Sequence, residues 1–302
     1  FTFLMEFQKL NFYEAVKSLA DRYNIVINIS KKDSVSSEYS FLYDIHEKAT
    51  LLYQNNLFSN SGKRPLQYLN KRNLNEETIK KFRIGFAIDS WNNLHNEIKS
   101  KGSSDSLMKS GLLIRSEKGV FDRFRSRIMF PIFHQSGKVI AFGGRDFEKN
   151  DVAKYLNSPE TSLYQKSNIL YGFHITKNDI RKSDYAILVE GYMDLLQLYQ
   201  AGIKPVVSVS GTSLTRNHAN MLSKLVNKII LLYDGDSAGG NAVIRAGFII
   251  YHAGTDAYVV RPPDELDPDD WLLDKGSSEI QLAVENPKPF LDFHIEFHQA
   301  TG

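Results

Sequence analysis

No cysteine occurs among the 302 residues, which excludes disulfides and thiolate zinc sites within them. Long apolar runs are missing too. None approaches the roughly 20 residues that a bilayer-spanning helix needs, and no stretch has the form of a secretory signal. A soluble, cytoplasmic chain with no membrane partner is expected. Internal repeats and low-complexity tracts are lacking. The eight histidines show no metal-ligand spacing and read as structural or surface residues. What is present is ample for folding: 42% hydrophobic and 24% charged residues, enough chain for two domains. The first residue is Phe1 rather than methionine, which predicts a piece of a longer chain.

A marked excess of one charge is also lacking, since 37 Lys and Arg face 35 Asp and Glu for a net +2. The distribution is uneven, however. Residues 115–182 carry thirteen bases against seven acids, Lys149 and Asp151 among them, whereas residues 184–270 carry six bases against eleven acids. A basic half beside an acidic half suits a polyanion-binding surface next to a metal site.

Residues 1–29 read as helices, with Asn11 and Glu14 as a capping-box-like pair. The polar, serine-rich residues 30–40 read as a linker, and helical periodicity returns over 41–58. Residues 75–82 have acids early and lysines late, as a helix dipole favours. Short β-like runs follow at 112–115, 127–133 and 138–142, the last after a turn at Ser136-Gly137. From Tyr185 the rhythm becomes strand–helix: strands at 185–189, 205–210, 228–233 and 257–261, helices at 192–201, 215–226 and 240–253. That alternation predicts an α/β fold with a parallel sheet flanked by helices, and ligands at the carboxyl ends of the strands. Beyond Trp271 the chain reads as helical to Gly302.

Those strand ends carry the chemistry. The apolar run before Asp234-Gly235-Asp236 stops abruptly at two carboxylates, and 185–189 runs into Glu190 with Asp194 one turn later. Placing acids at the ends of buried strands is costly unless a cation sits there. Glu190, Asp234 and Asp236 are the expected magnesium ligands. The acidic loop Asp264-Glu265-Leu266-Asp267-Pro268-Asp269-Asp270 offers Asp267 and Asp269 toward a second metal. Upstream, Arg123, Arg125 and Arg127 alternate, so on a strand they form one basic stripe able to follow a phosphate backbone. Gly143-Gly144-Arg145 permits close backbone approach and offers a guanidinium to phosphate. Lys154 can neutralise a triphosphate or a template, Lys166 is a second phosphate candidate, and Tyr155 either stacks a base or packs in the core. Ser210-Gly211-Thr212 either positions a hydroxyl near the metals or closes a tight turn.

Together these segments resemble a known family. Glu190-Gly191-Tyr192-Met193-Asp194 with Asp234-Gly235-Asp236 is similar to the Toprim fold of primases, topoisomerases and some nucleases. Upstream, Arg123-Phe124-Arg125-Ser126-Arg127-Ile128-Met129-Phe130-Pro131-Ile132, Phe142-Gly143-Gly144-Arg145 and Lys154-Tyr155-Leu156-Asn157-Ser158-Pro159-Glu160-Thr161 resemble the bacterial replicative primases of the DnaG type. The likeness is collinear from Phe1 to beyond Trp271. The wording Ser208-Val209-Ser210-Gly211-Thr212 departs mildly from the usual Leu-Gly-Thr.

The resemblance implies a DNA-templated RNA polymerase making short primers on single-stranded DNA from ribonucleoside triphosphates, by two-metal nucleotidyl transfer with Mg2+ or Mn2+. Glu190, Asp234 and Asp236 match the family's metal ligands, with Asp194, Asp267 and Asp269 as further active-site acids. Arg123, Arg125, Arg127, Arg145, Lys154, Tyr155 and Lys166 match its template and nucleotide surface. It implies these parts: 1–29 as the helical tail of a zinc-ribbon domain whose ligands are missing here, 30–40 a linker, 41–183 a basic mixed α+β subdomain, 184–270 the Toprim domain, and 271–302 the start of a C-terminal helical subdomain. Zinc belongs to the missing N-terminal domain, and the replicative helicase to a C-terminal domain also absent here. A Toprim nuclease or topoisomerase, or a non-catalytic single-strand-binding fragment, are the alternative readings.

Overall fold

The computed structural model describes residues 1–8, 12–23, 25, 32–148, 153–209, 211–263 and 266–301. Asn11, Lys149, Asp151, Ser210, Asp264, Glu265 and Gly302, and residues 30 and 31 of the expected linker, lie outside the described residues. Two compact units result, one of Phe1–Gly62 and Gly85–Tyr164, the other of Lys63–Ile84 and Gln165–Gly302.

In chain order, α1 (Thr2–Gln8), α2 (Phe12–Arg22) and α3 (Lys32–Leu57) belong to the first unit, while α4 (Lys63–Lys71) and α5 (Glu76–Lys81) belong to the second. The first unit continues with β1 (Gly85–Ala87), α6 (Asn93–Ile98), α7 (Ser104–Met108), β2 (Leu113–Ser116), β3 (Gly119–Asp122), β4 (Arg127–Phe133), β5 (Val139–Asp146) and β6 (Tyr155–Asn157). The second resumes with α8 (Phe173–Ser183), β7 (Tyr185–Val189), α9 (Tyr192–Gln200), β8 (Val206–Ser208), α10 (Arg216–Ser223), β9 (Lys228–Leu231), α11 (Ser237–His252), β10 (Asp256–Val259), α12 (Pro268–Lys275), α13 (Ser277–Glu285), β11 (Lys288–Pro289) and α14 (Phe290–Thr301).

In the first unit an antiparallel sheet of order β1-β4-β5-β6 is covered by α3, whose Leu42, Ile45, Ala49, Tyr53 and Leu57 form one buried stripe. Tyr53 meets the Phe142 ring edge-on at 5.3 Å. That stripe explains a correction: residues 32–40 are not a linker but the opening turns of α3. A serine costs a helix only about 0.5 kcal/mol, and once packing has nucleated the later turns the earlier ones propagate.

In the second unit the sheet order is β11-β10-β9-β7-β8, with β10, β9, β7 and β8 parallel and β11 antiparallel at the edge. Ala186, Ile187, Leu188 and Val189 are fully buried, and Ile187, Leu188 and Val189 each contribute about 1.5–3 kcal/mol. From β7 the chain crosses to β8 on one side, then to β9 on the other. The crevice at that reversal, outside the carboxyl ends of β7 and β9, is where an open α/β sheet takes its ligand.

The division differs from the expected boundaries at 183 and 270. Helix α8 packs on β7 and β8, so the second unit starts before residue 184. Residues 63–84 also join it, latched to α9 by Gln200, which donates to Asn73 O (2.7 Å) and accepts from Asn75 N (2.8 Å). Nor is 271–302 the beginning of a separate subdomain, since Phe290, Phe293 and Phe297 of α14 are part of the same core as β7 and β9. Among the described residues no helix is long and apolar enough to cross a membrane.

Candidate active site

Glu190 follows the buried end of β7, and its carbonyl accepts the Ser208 hydroxyl from β8 at 2.8 Å. Its Oε1 is buried with no hydrogen-bond partner. Burial, then the charges of Asp234 and Asp236, push the Glu190 carboxyl up to about 7, against the pull of Arg245. Asp194 stands in the first turn of α9, where Oδ2 accepts the Gly191 N–H at 2.8 Å. Burial raises it to about 7, with Asp267, Asp234 and Glu190 adding to the effect and the Gly191 bond opposing it.

The Asp-Gly-Asp turn is tied to the third acidic loop. Gly235 N–H donates to Leu266 O at 2.9 Å, and Gly235 O accepts Nε and Nη2 of Arg261 at 3.0 and 2.5 Å. Helix α11 starts at Ser237, earlier than expected, because Asp236 caps it by accepting the Gly239 N–H at 2.7 Å. A Cβ on Gly239 would lie 2.2 Å from Asp234 O, so only glycine lets this first turn close beneath Asp234.

Asp267 caps α12 in the same way, accepting Asp270 N–H at 2.7 Å, with Pro268 in the first turn. Among the described residues, the acids that converge closely enough to be able to hold a metal are Asp194, Asp267 and Asp269, whose ligand oxygens lie within 4.8 Å of one another. The expected metal set of Glu190, Asp234 and Asp236 is adjacent to this cluster electrostatically, through the charges of Glu190 and Asp234 on Asp194. Buried Asp269 is raised by burial and by Asp267, with which it shares a hydrogen bond. Arg72 Nη1 reaches its Oδ1 and Oδ2 at 3.2 and 3.3 Å. Acids that burial and mutual repulsion drive toward protonation, one with an orphaned oxygen, fit a divalent cation. Sequence reasoning missed Arg72, Arg245 and Arg261. Arg261 was findable as the one base ending a strand beside the acidic loop.

The arginine stripe is corrected. β3 ends at Asp122 and β4 begins at Arg127, with Ser126 between them at φ 49°, so alternation does not place Arg123, Arg125 and Arg127 on one strand face. Instead Arg123 Nη2 donates to Asn157 O (3.2 Å), Arg125 Nη1 to Asp122 O (2.5 Å), and buried Arg127 Nη1 to Gly144 O (3.1 Å) and Ala153 O (3.0 Å). Arg125 lies 4.0 Å over the Trp91 ring. Gly143-Gly144-Arg145 lies in the second half of β5, paired with β4 and β6. Arg145 Nη1 donates to Tyr155 OH at 2.5 Å, and Tyr155 is half-buried. Lys154 is exposed. Lys166 falls in the second unit, where its carbonyl meets His218 Nε2 at 2.9 Å. His218 and His46 are buried and bonded to backbone, as structural histidines should be.

A family model described as the DNA primase catalytic core, N-terminal domain, matches residues 52–177, and a Toprim-like model matches residues 187–272. A solved DnaG primase catalytic domain, bound to single-stranded DNA, superposes with a TM-score of 0.80 at 35% identity, over 86% of this chain and 83% of that one. The chain belongs to the DnaG primase family. The primase of Aquifex aeolicus, solved with its zinc-binding and RNA polymerase domains, matches this chain at a TM-score of 0.78 and 32% identity, over 95% of this chain and 70% of that one. A DNA primase of Clostridium acetobutylicum is 39% identical over 299 residues, 97% of this chain and 49% of the relative. One of Helicobacter pylori is 37% identical over 294 residues, 96% and 51% respectively. The chain thus spans about half the length of the curated relatives it matches.

Proposed function

We propose that this primase core is a DNA-templated RNA polymerase that joins ribonucleoside triphosphates into short primers on single-stranded DNA, in the cytoplasm. The convergence of Asp194, Asp267 and Asp269 beside Glu190 and the Asp-Gly-Asp turn, at the carboxyl ends of the parallel strands, carries the reading. Glu190, Asp234 and Asp236 would hold one divalent cation and Asp194, Asp267 and Asp269 a second. When bound, Mg2+ or Mn2+ supplies the Lewis-acid charge that offsets the triphosphate and the departing pyrophosphate.

The chain's own residues do the rest. Ser208, Gly191 and Arg261 fix the backbone that presents the acids. Arg123, Arg125, Arg145 and exposed Lys154 supply positive charge to template and nucleotide phosphates, and Arg127 and Tyr155 hold that surface in shape. Lys166, within the second unit, is by itself a candidate phosphate contact. The relative solved with single-stranded DNA supports the choice of template.

The test is incorporation of labelled ribonucleotides on a single-stranded template with and without magnesium. Asp234→Asn is expected to abolish it while the thermal melt stays cooperative. Wild-type incorporation by that variant would overturn the assignment, and cleavage of the DNA in place of synthesis would redirect it to a Toprim nuclease.

A further inference from the structure

Arg72 is held from both ends. Its carbonyl accepts the side-chain amide of Gln197, on the same helix α9 that carries Asp194 in its first turn. Three residues beyond Gln197, Gln200 donates to Asn73 O and accepts from Asn75 N, fixing a turn in which Asn73 has φ 55°. The guanidinium lies across both oxygens of Asp269, at 3.2 and 3.3 Å, and 3.5 Å from Asp270 Oδ1. Asp269 is almost wholly buried, its side chain 3% exposed, whereas that of Arg72 is 31% exposed. This is therefore not a solvated surface pair of the kind that contributes little. A clamped cation has been set against one member of an acid cluster that is itself fit to hold a divalent ion.

We propose that Arg72 is a positioning residue that supplies part of the cation charge at Asp194, Asp267 and Asp269, and so keeps the affinity of that cluster for a free divalent ion low. The inference rests on the reading that the cluster takes a divalent cation. The reason is Coulombic. Three carboxylates offset by one adjacent guanidinium attract a doubly charged ion less than three alone, and a partly buried site screens the difference only in part. Arg72 at the same time holds the Asp269 carboxylate in one orientation without a metal. A cation that arrives already bound to a triphosphate brings anionic oxygens that offset Arg72, so the cluster is built to fill with the nucleotide rather than before it.

The test is titration of the full 302-residue chain with Mn2+ alone, free ion being read by electron paramagnetic resonance, for wild type, Arg72→Gln, Arg72→Lys, Asp269→Asn and the Arg72→Gln/Asp269→Asn pair. Arg72→Gln is expected to tighten Mn2+ binding on the order of tenfold. Arg72→Lys keeps the charge and should stay within about threefold of wild type. With Asp269→Asn as background, Arg72→Gln should lose most of its effect. Adding ATP should narrow the gap between wild type and Arg72→Gln. Unchanged or weaker Mn2+ binding by Arg72→Gln overturns the proposal, as does equal tightening by Arg72→Lys. No Mn2+ binding by any variant at millimolar concentration overturns the cation reading itself.

Discussion

One oxygen of Asp236 caps α11 while the carboxylate as a whole adds to the negative charge around Glu190. The two roles separate by substitution. Asp236→Asn keeps an acceptor for the Gly239 N–H and should leave the denaturant midpoint close to wild type, whereas Asp236→Ala should lose about 1 kcal/mol. Both should stop nucleotide incorporation if the charge serves the proposed function; incorporation surviving in Asp236→Asn would confine the residue to capping. Glu190 and Asp194 lend themselves to a pH test. Both titrate near 7 because of burial and neighbouring acids, above the ordinary carboxylate value of about 4. Their contribution to stability is fully present below about pH 4 and is lost as pH rises through 7. Buried His46, lowered to about 4 by desolvation, acts oppositely, but only below about pH 6.5. Melting temperature in chelator is therefore expected to fall from pH 6.5 to 8, and less so in Asp194→Asn; equal slopes would remove Asp194 as the cause. The strand-end acids Glu190 and Asp234 were legible in the sequence because each ends an apolar run, a pattern local to a few residues, and Asp194 and Asp236 follow four and two residues later. Arg72 was not, since its partner Asp269 lies 197 residues away and nothing near residue 72 announces it.

Among elements, α11 and α14 show what periodicity alone conceals. A Cβ on Gly240 would stand 2.3 Å from the Phe297 ring, and one on Gly247 2.2 Å from that of Phe290. The glycines open a groove on α11 that the phenylalanines of α14 fill, and Phe290 is fully buried. Alanine at 247 would gain about 1 kcal/mol of helix propensity, yet overpacking against a ring with no room to move costs about 1–3 kcal/mol. Gly247→Ala is thus expected to lower the urea midpoint, and a raised midpoint would show that the groove has slack. Composition marked 271–302 as helical but carried no sign that its aromatic face closes the sheet of the preceding strands. The arginine alternation failed for a related reason: period two implies one face only if the backbone is extended throughout, and Ser126 breaks it. The strands themselves, 127–133 and 185–189, were readable to the residue because a fully buried strand is an unbroken apolar run.

For the whole molecule, the near-zero net charge conceals a division of labour that the sequence shows plainly, basic over 115–182 and acidic over 184–270. What it conceals is that the second unit is discontinuous, taking residues 63–84 through side-chain amides of α9 that no local pattern reveals. The charge division makes a prediction about binding that separates contact from scaffold. Single-strand affinity should fall steeply with salt as condensed counterions are released. Lys154 is exposed, so Lys154→Ala should reduce the slope of log K against log salt by about 0.7, one phosphate's share on a single strand, without shifting the melting temperature. Arg127 is buried and donates to two backbone carbonyls, so Arg127→Ala should destabilise the first unit by about 2 kcal/mol through the carbonyls left unpaired. Calorimetry and fluorescence anisotropy on the same two variants decide the matter. An unchanged slope in Lys154→Ala would remove that residue from the template surface, and an unshifted melt in Arg127→Ala would return its guanidinium from the scaffold to the phosphates.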